Sequence, residues 1–245
     1  MARLYDKPVW QLMWEMVEEL GLQPGETVSR KQVNDWFATK YPRVKPGTIQ
    51  AHLLKMSTNA PSRHHYGARP KHDDLFYQID GSTFRLYDAT QDPAPIYERT
   101  TLSESESDEP TDEEENLSEF AYEKDLQSFL ARNLHLLQPG LSLYDDEGLQ
   151  GIEYPAGGRF IDILAVDGTG ALVVIELKVS RGYDRTVGQL LRYMGWIEEN
   201  LAEDGQAVRG MIVARDISQD LQLAARRVPG VDLYEYQLSV SLAKV

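Results

Sequence analysis

Two apolar runs, 160–166 and 172–178, meet at Asp167-Gly168-Thr169-Gly170 and carry Asp162, Glu176 and Lys178 inside them. An Asp-Gly pair between apolar runs supplies the positive φ angles of a tight turn, so the runs are expected to pair as a hairpin. Charges inside apolar strands are costly unless they pair or hold a metal, which predicts that the three share one site. With Asp167 facing Gly170, Asp162 falls opposite Ile175; a three-residue loop places it opposite Glu176. In either register Glu176 and Lys178, two residues apart, project from the same face.

Two adjacent carboxylates repel unless a cation sits between them. In a chain with no Cys and 5 His, hard oxygen donors select Mg²⁺, with Mn²⁺ as a substitute, over zinc. The backbone carbonyl of Leu177 offers a third ligand beside Asp162 and Glu176. The chemistry expected of this group is metal-assisted attack of water on a phosphodiester. Lys178 would orient or help deprotonate the water and stabilise charge on the phosphate. A structural ion pair in a solvated hairpin is the plain alternative, and three charges in so apolar a setting weigh against it.

Asp162, a 13-residue spacer and Glu176-Leu177-Lys178 resemble the signature of the PD-(D/E)XK nuclease superfamily. Gly157-Gly158-Arg159-Phe160-Ile161-Asp162-Ile163-Leu164, a following helix with Gln189 and Tyr193, and an upstream helix with Glu123 narrow the likeness. Over about 119–240 the chain resembles the C-terminal nuclease domain of NucS-type (EndoMS-type) endonucleases. The residue before Asp162 is Ile161 rather than the Pro of the superfamily motif. The resemblance implies that Asp162 and Glu176 bind the metal and that Lys178 acts on the attacking water. It implies further that Glu123 supports a water or second metal and that Gln189 completes the site. Independently, Val187, Leu190, Leu191, Met194, Ile197 and Leu201 form a helical stripe, while Arg185, Gln189, Arg192, Tyr193 and Trp196 gather on another side. That second side, together with Arg159, suits a phosphate backbone.

A net charge of −14 is unusual for a nucleic-acid binder until it is divided along the chain. Residues 1–90 carry +2, 91–119 carry −10 and 120–245 carry −6. Residues 91–118 are therefore expected to be an acidic, extended, disordered linker between domains at 1–90 and 119–245. Its plain role is a solvated spacer; a sharper one is competition with DNA for a basic groove. No apolar run approaches the ~20 residues of a membrane span and no signal peptide is evident, so a soluble, cytoplasmic protein without membrane contact is expected.

In the first 90 residues, Trp10, Leu12, Met13, Met16, Val17 and Leu20 have helical spacing, with Gly21 as a stop. Ser29 is placed to cap a helix through about 39, and Gly47-Thr48-Ile49-Gln50 opens a third through about 56. Residues 75–80 and 83–87 flank Gly81-Ser82 as a hairpin. Three helices and a two-stranded wing predict a winged helix-turn-helix domain, whose third helix would enter the major groove. Thr48, Gln50, His52 and Lys55 are the candidate readers, and Arg63, His64, His65, Arg69, Lys71 and His72 form a basic segment for phosphate or a displaced base. A zinc site from His64, His65 and His72 lacks further ligands. Residues 59–87 also resemble the helical N-terminal modules attached to restriction-type nucleases.

At the other end, 208–214 and 231–238 read as strands around a helix at 218–228. The fold class expected is α/β, a restriction-endonuclease-like mixed sheet flanked by helices, behind the winged-helix domain. The function expected is a Mg²⁺-dependent DNA endonuclease, serving restriction or defence against foreign or modified DNA. A mismatch-directed repair nuclease and a non-cleaving DNA-binding regulator are the alternatives. Cutting both strands needs two sites or two events, which points to a homodimer.

Overall fold

A computed structural model of the chain describes residues 5–97, 113–178 and 184–237. The elements run α1 (Val9–Leu20), β1 (Thr27–Ser29), α2 (Arg30–Lys40), α3 (Pro46–Lys55), β2 (Phe76–Gln78) and β3 (Thr83–Leu86). They continue with α4 (Glu113–Arg132), β4 (Ser142–Leu143), β5 (Asp145–Asp146), β6 (Leu149–Gln150), β7 (Ile152–Ala156), β8 (Arg159–Val166) and β9 (Leu172–Lys178). The last are α5 (Asp184–Asn200), β10 (Val208–Ala214), α6 (Gln219–Ala225) and β11 (Val231–Glu235). Contacts divide the chain into two compact units.

In the first unit, α1 buries Leu12, Met13, Met16 and Val17 at helical spacing, and Gly21 ends it at φ 64°, where a side chain would be strained. Ser29 caps α2 through a reciprocal box: Gln32 N–H donates to Ser29 Oγ, and Ser29 N–H donates to Gln32 Oε1. β1 pairs with β3 and β3 with β2, all antiparallel. Strand β1 was not expected, since three residues are too few to show alternation. Met13, Met16, Phe37, Ile49, Leu53, Phe76 and Phe84 lie at the centre of the core.

Tyr144–Phe160 also belongs to this unit, whereas the sequence assigned it to a domain at 119–245. Glu147 and Gly148 turn the β5–β6 hairpin with φ of 53° and 82°, the double positive φ of a tight hairpin turn. This segment covers one face of α3. Thr48 Oγ1 donates to Asp146 (3.4 Å), Glu147 accepts from Val9 N–H (2.6 Å) and lies 3.8 Å from His52 Nε2. The expected linker also begins later. Asp92 pairs with Arg85, Ile96 N–H donates to the Thr58 carbonyl, and Tyr97 donates to Asp74. The remaining linker expectations, including competition with DNA, fall on 98–112, outside the described residues, and on the start of α4 at Glu113.

The second unit is a mixed sheet in the order β11-β10-β9-β8-β4. The first three strands run parallel, while β8 is antiparallel to β9 and β4 to β8. Period-two alternation gives each strand two buried faces. Ile163, Ala165, Val173, Ile175, Leu177, Met211 and Val213 meet Leu126 and Leu130 of α4. The opposite face meets α5, and the two pack closely at Gly210: a Cβ there would stand 2.7 Å from Leu190 Cδ2 and 2.8 Å from Met194 Sδ. The sheet is thus flanked by helices on both sides, which is the expected α/β layering. Among the described residues, no helix is long and apolar enough to cross a membrane.

Candidate active site

The turn between β8 and β9 settles the register left open by the sequence. Asp167 N–H donates to the Ala171 carbonyl, which closes a three-residue loop, and the ladder pairs Val166 with Leu172 through to Ile163 with Ile175. Continued by one residue, that register sets Asp162 against Glu176. The Asp167 carboxylate holds the turn by accepting from Thr169 Oγ1 (2.7 Å), Thr169 N–H (2.9 Å), Ala171 N–H (3.1 Å) and Arg209 Nε (3.0 Å). These bonds, that to the Thr169 hydroxyl foremost, draw its pKa down to about 2.

Asp162 and Glu176 share the sheet face that α5 covers. The Asp162 carboxyl accepts from Leu177 N–H at 2.7 Å. Glu176 is 1% exposed; its Oε1 accepts from Gln189 Nε2 at 2.6 Å and from Lys178 Nζ at 2.9 Å. Its Oε2 is buried without a hydrogen-bond partner among the described residues. Lys178, with 25% of its side chain exposed, meets solvent, and Asp162 is half-buried.

Burial raises the Asp162 pKa well above that of a free carboxyl, and the charges of Glu176 and Glu123 add to the rise. Burial likewise raises Glu176; Lys178 opposes that shift and Glu123 reinforces it. For Lys178 burial works downward, but the Glu176 charge and the bond to it outweigh that, and the net shift is upward. Two carboxylates thus stand close together in a poorly solvated place, and one buried oxygen lacks a donor. This donor set fits a hard divalent cation, which would relieve the repulsion and engage that oxygen. Among the described residues, no three His, Cys, Asp or Glu side chains gather for a metal, so the chain would complete the set through a main-chain oxygen. In an extended strand the N–H and C=O of one residue point to the same edge. The Leu177 carbonyl is therefore directed to the edge where Asp162 lies.

Around this centre the predicted residues divide. Gln189 reaches Glu176, and Glu123 acts electrostatically on Asp162, Glu176 and Lys178. Tyr193 is corrected from a phosphate-facing residue to a buried one, 3% exposed, in the stripe Leu190, Tyr193, Met194, Ile197 and Leu201. Leu191, expected in that stripe, is exposed, because the buried face of α5 is set by the 3.6-residue period through Tyr193. Arg159, Arg185 and Arg192 are exposed, with the Arg192 guanidinium 5.0 Å from the Tyr193 ring centroid. Gln127 was missed: its Nε2 donates to the Asp162 carbonyl at 2.9 Å. It lies one helical turn after Glu123, a spacing that places both on one side of α4.

In the first unit several expected DNA contacts are internal, a correction forced by the cover over α3. Thr48, His52, Lys55 and Arg63 are all buried. Arg63 pairs with Asp74 and donates to the carbonyls of Lys55 and Asp73, so it ties loop to helix instead of facing phosphate. Gln50 and His64 are half-buried, Arg69 and Lys71 are exposed, and the side chain of His65 lies outside the described ones.

Against this geometry, comparison with known families bears on each part of the chain. Residues 122–228 match the model of the Endonuclease NucS C-terminal domain. That span holds Glu123, Gln127, Asp162, Glu176, Lys178, Gln189 and Tyr193. Residues 8–86 match a domain of unknown function, DUF7669. Among curated relatives, Endonuclease NucS of Kocuria rhizophila is 40% identical over 106 residues, 42% of this chain and 41% of that protein. Endonuclease NucS of Bifidobacterium adolescentis is 30% identical over 158 residues, 63% and 62% respectively. The chain spans from 24% to 62% of the length of the NucS relatives it matches. A repair endonuclease from Pyrococcus abyssi aligns with 20% identity and a TM-score of 0.38, covering 64% of this chain and 52% of that one.

Proposed function

We propose that the chain is a divalent-metal-dependent DNA endonuclease whose second unit hydrolyses phosphodiester bonds. The observation that carries this reading is the convergence of Asp162, Glu176 and Lys178 on one sheet face, within the span that matches the NucS C-terminal domain. Asp162, Glu176 and the Leu177 carbonyl would hold Mg²⁺ or Mn²⁺. When bound, such an ion supplies a Lewis acid for the phosphate and lowers the pKa of a coordinated water. The chain's own residues do the rest. Leu177 N–H fixes one carboxylate, and Gln189 fixes the other. Lys178, held as an ammonium by Glu176, orients water and stabilises charge that develops on the phosphate. Arg185 and Arg192, exposed on α5, are available to the DNA backbone.

For the first unit, we propose a winged-helix DNA-binding role. Its order of three helices, a short strand pairing with the hairpin, and β2–β3 supports that reading. The buried face of α3 restricts base reading by that helix, and Arg69 and Lys71 remain as surface cations. The restriction or defence role drawn from the pairing of modules has no support among the relatives and is not retained. A repair role fits the NucS relatives slightly better, and a homodimer would supply the two sites that double-strand cleavage requires.

The test is incubation of plasmid, paired duplex, mismatched duplex and single-stranded DNA with Mg²⁺, Mn²⁺ or EDTA. Cutting that needs the metal supports the reading, and the preferred substrate identifies the role. DNA binding with no cutting of any substrate would assign the chain to the non-cleaving regulators.

A further inference from the structure

A cavity of about 630 Å³ opens within the first unit, lined by Trp10, Lys55, Tyr66, Arg69, Asp145 and Gln150 among others. That volume is within the range of small-molecule sites. Lys55 enters from the last turn of α3 and is 4% exposed. Its ammonium feels the carboxylate charges of Asp73, Asp145 and Glu147, which offset part of the cost of its burial. It lies against the tip of the β5–β6 hairpin, since a Cβ on Gly148 would stand 3.4 Å from Nζ. Burial nevertheless draws its pKa down. An ammonium set in a cavity wall is placed to meet a ligand that enters the cavity.

The other lining groups define that ligand. Trp10 offers an indole surface, with the Arg69 guanidinium 5.8 Å from its centroid and the His72 ring at 3.8 Å. Aromatic and guanidinium groups together stack with any nucleobase. The Asp145 carboxylate and the Gln150 amide suit the amino groups and ring nitrogens of a base edge, and an ammonium suits a carbonyl or phosphate oxygen. The carboxylates of Asp145 and Glu147 in the wall disfavour a triphosphate, and Lys55 disfavours a metal ion.

We propose that this cavity receives a single nucleotide, its base against Trp10, Asp145 and Gln150 and its carbonyl or phosphate oxygens drawn by Lys55 and Arg69. The nucleotide has two sources of the same chemistry: one turned out of a DNA strand, or a free mononucleotide. The first rests on the DNA-acting reading above and the second does not.

The test is binding of the full chain in EDTA, read by tryptophan fluorescence and titration calorimetry. The probes are the four deoxynucleoside monophosphates, a paired duplex and the same duplex with one unpaired nucleotide. Lys55→Met and the surface change Gln150→Ala are measured beside the wild type. The expected result is binding of a mononucleotide, or at least about tenfold preference for the duplex with the unpaired nucleotide, weakened about tenfold or more by Lys55→Met. Gln150→Ala weakens it several-fold, and Lys55→Met keeps the wild-type circular dichroism spectrum. Response in one arm alone identifies the source. Binding of none of the probes, or unchanged binding in both variants, overturns the proposal. Because EDTA removes the metal, this outcome is independent of whether the second unit cuts DNA.

Discussion

The Leu177 amide donates to the Asp162 carboxyl across adjacent strands at 2.7 Å, so the main chain of the Glu-Leu-Lys motif itself positions the other acid. The carboxylate has two duties that substitution can separate. Asp162→Asn keeps an acceptor for Leu177 N–H and removes the charge. We expect its melting temperature to stay within a few degrees of wild type while cleavage falls by about 10² or more. Asp162→Ala should lose both, and thermal melts beside cleavage rates distinguish the two variants.

Gln189 is the neutral donor to a buried carboxylate. Gln189→Ala leaves Glu176 Oε1 with Lys178 alone, and Mg²⁺ affinity or activity is expected to fall about 10-fold to 100-fold. Gln189→Glu adds a third negative charge and is expected to do worse. Metal titration by calorimetry checks both; equal affinity in all three proteins would remove Gln189 from the site.

Gly210 allows α5 to lie directly on β10. In Gly210→Ala the new methyl meets Leu190 Cδ2, Leu190 Cγ and Met194 Sδ, all inside 3.0 Å, and only the Met194 side chain moves cheaply. A loss of about 1–3 kcal/mol in urea unfolding is expected. Leu190→Ala in the same background should recover part of it.

His52 makes the first unit sensitive to acid. Burial draws its pKa down to about 4, and its bond to the Thr48 carbonyl offsets this in part. The folded pKa lies below the unfolded value of about 6.5. Stability from keeping His52 neutral is therefore full above about pH 6.5 and is lost as pH falls toward 4. The loss is at most about 3 kcal/mol, since the Glu147 carboxylate 3.8 Å away favours the charged form. Stability measured from pH 7.5 to 4.5 should decline in this window, and His52→Phe should flatten the curve.

Local patterns legible in the sequence include the hairpin, the face shared by Glu176 and Lys178, the cap at Ser29 and the stop at Gly21. These are set by neighbours along the chain. The loop length at Asp167 was not legible, because Asp-Gly-Thr-Gly is compatible with two registers. Nor was the fate of α3. Ile49 and Leu53 mark one buried face, but Thr48, His52 and Lys55 read as a polar surface because their cover, the Asp145–Gln150 hairpin, is itself polar and about 90 residues away. Periodicity reports which residues share a face, and only the tertiary structure shows what lies against it.

We propose that Asp162, Glu176 and Lys178 form a metal-dependent hydrolytic site. It is tested most directly by nicking of supercoiled plasmid in Mg²⁺, comparing wild type with Asp162→Asn. Wild-type nicking is expected to be abolished by EDTA and reduced by the substitution by about 10² or more at unchanged fold. Nicking that persists in Asp162→Asn, or in EDTA, would contradict it.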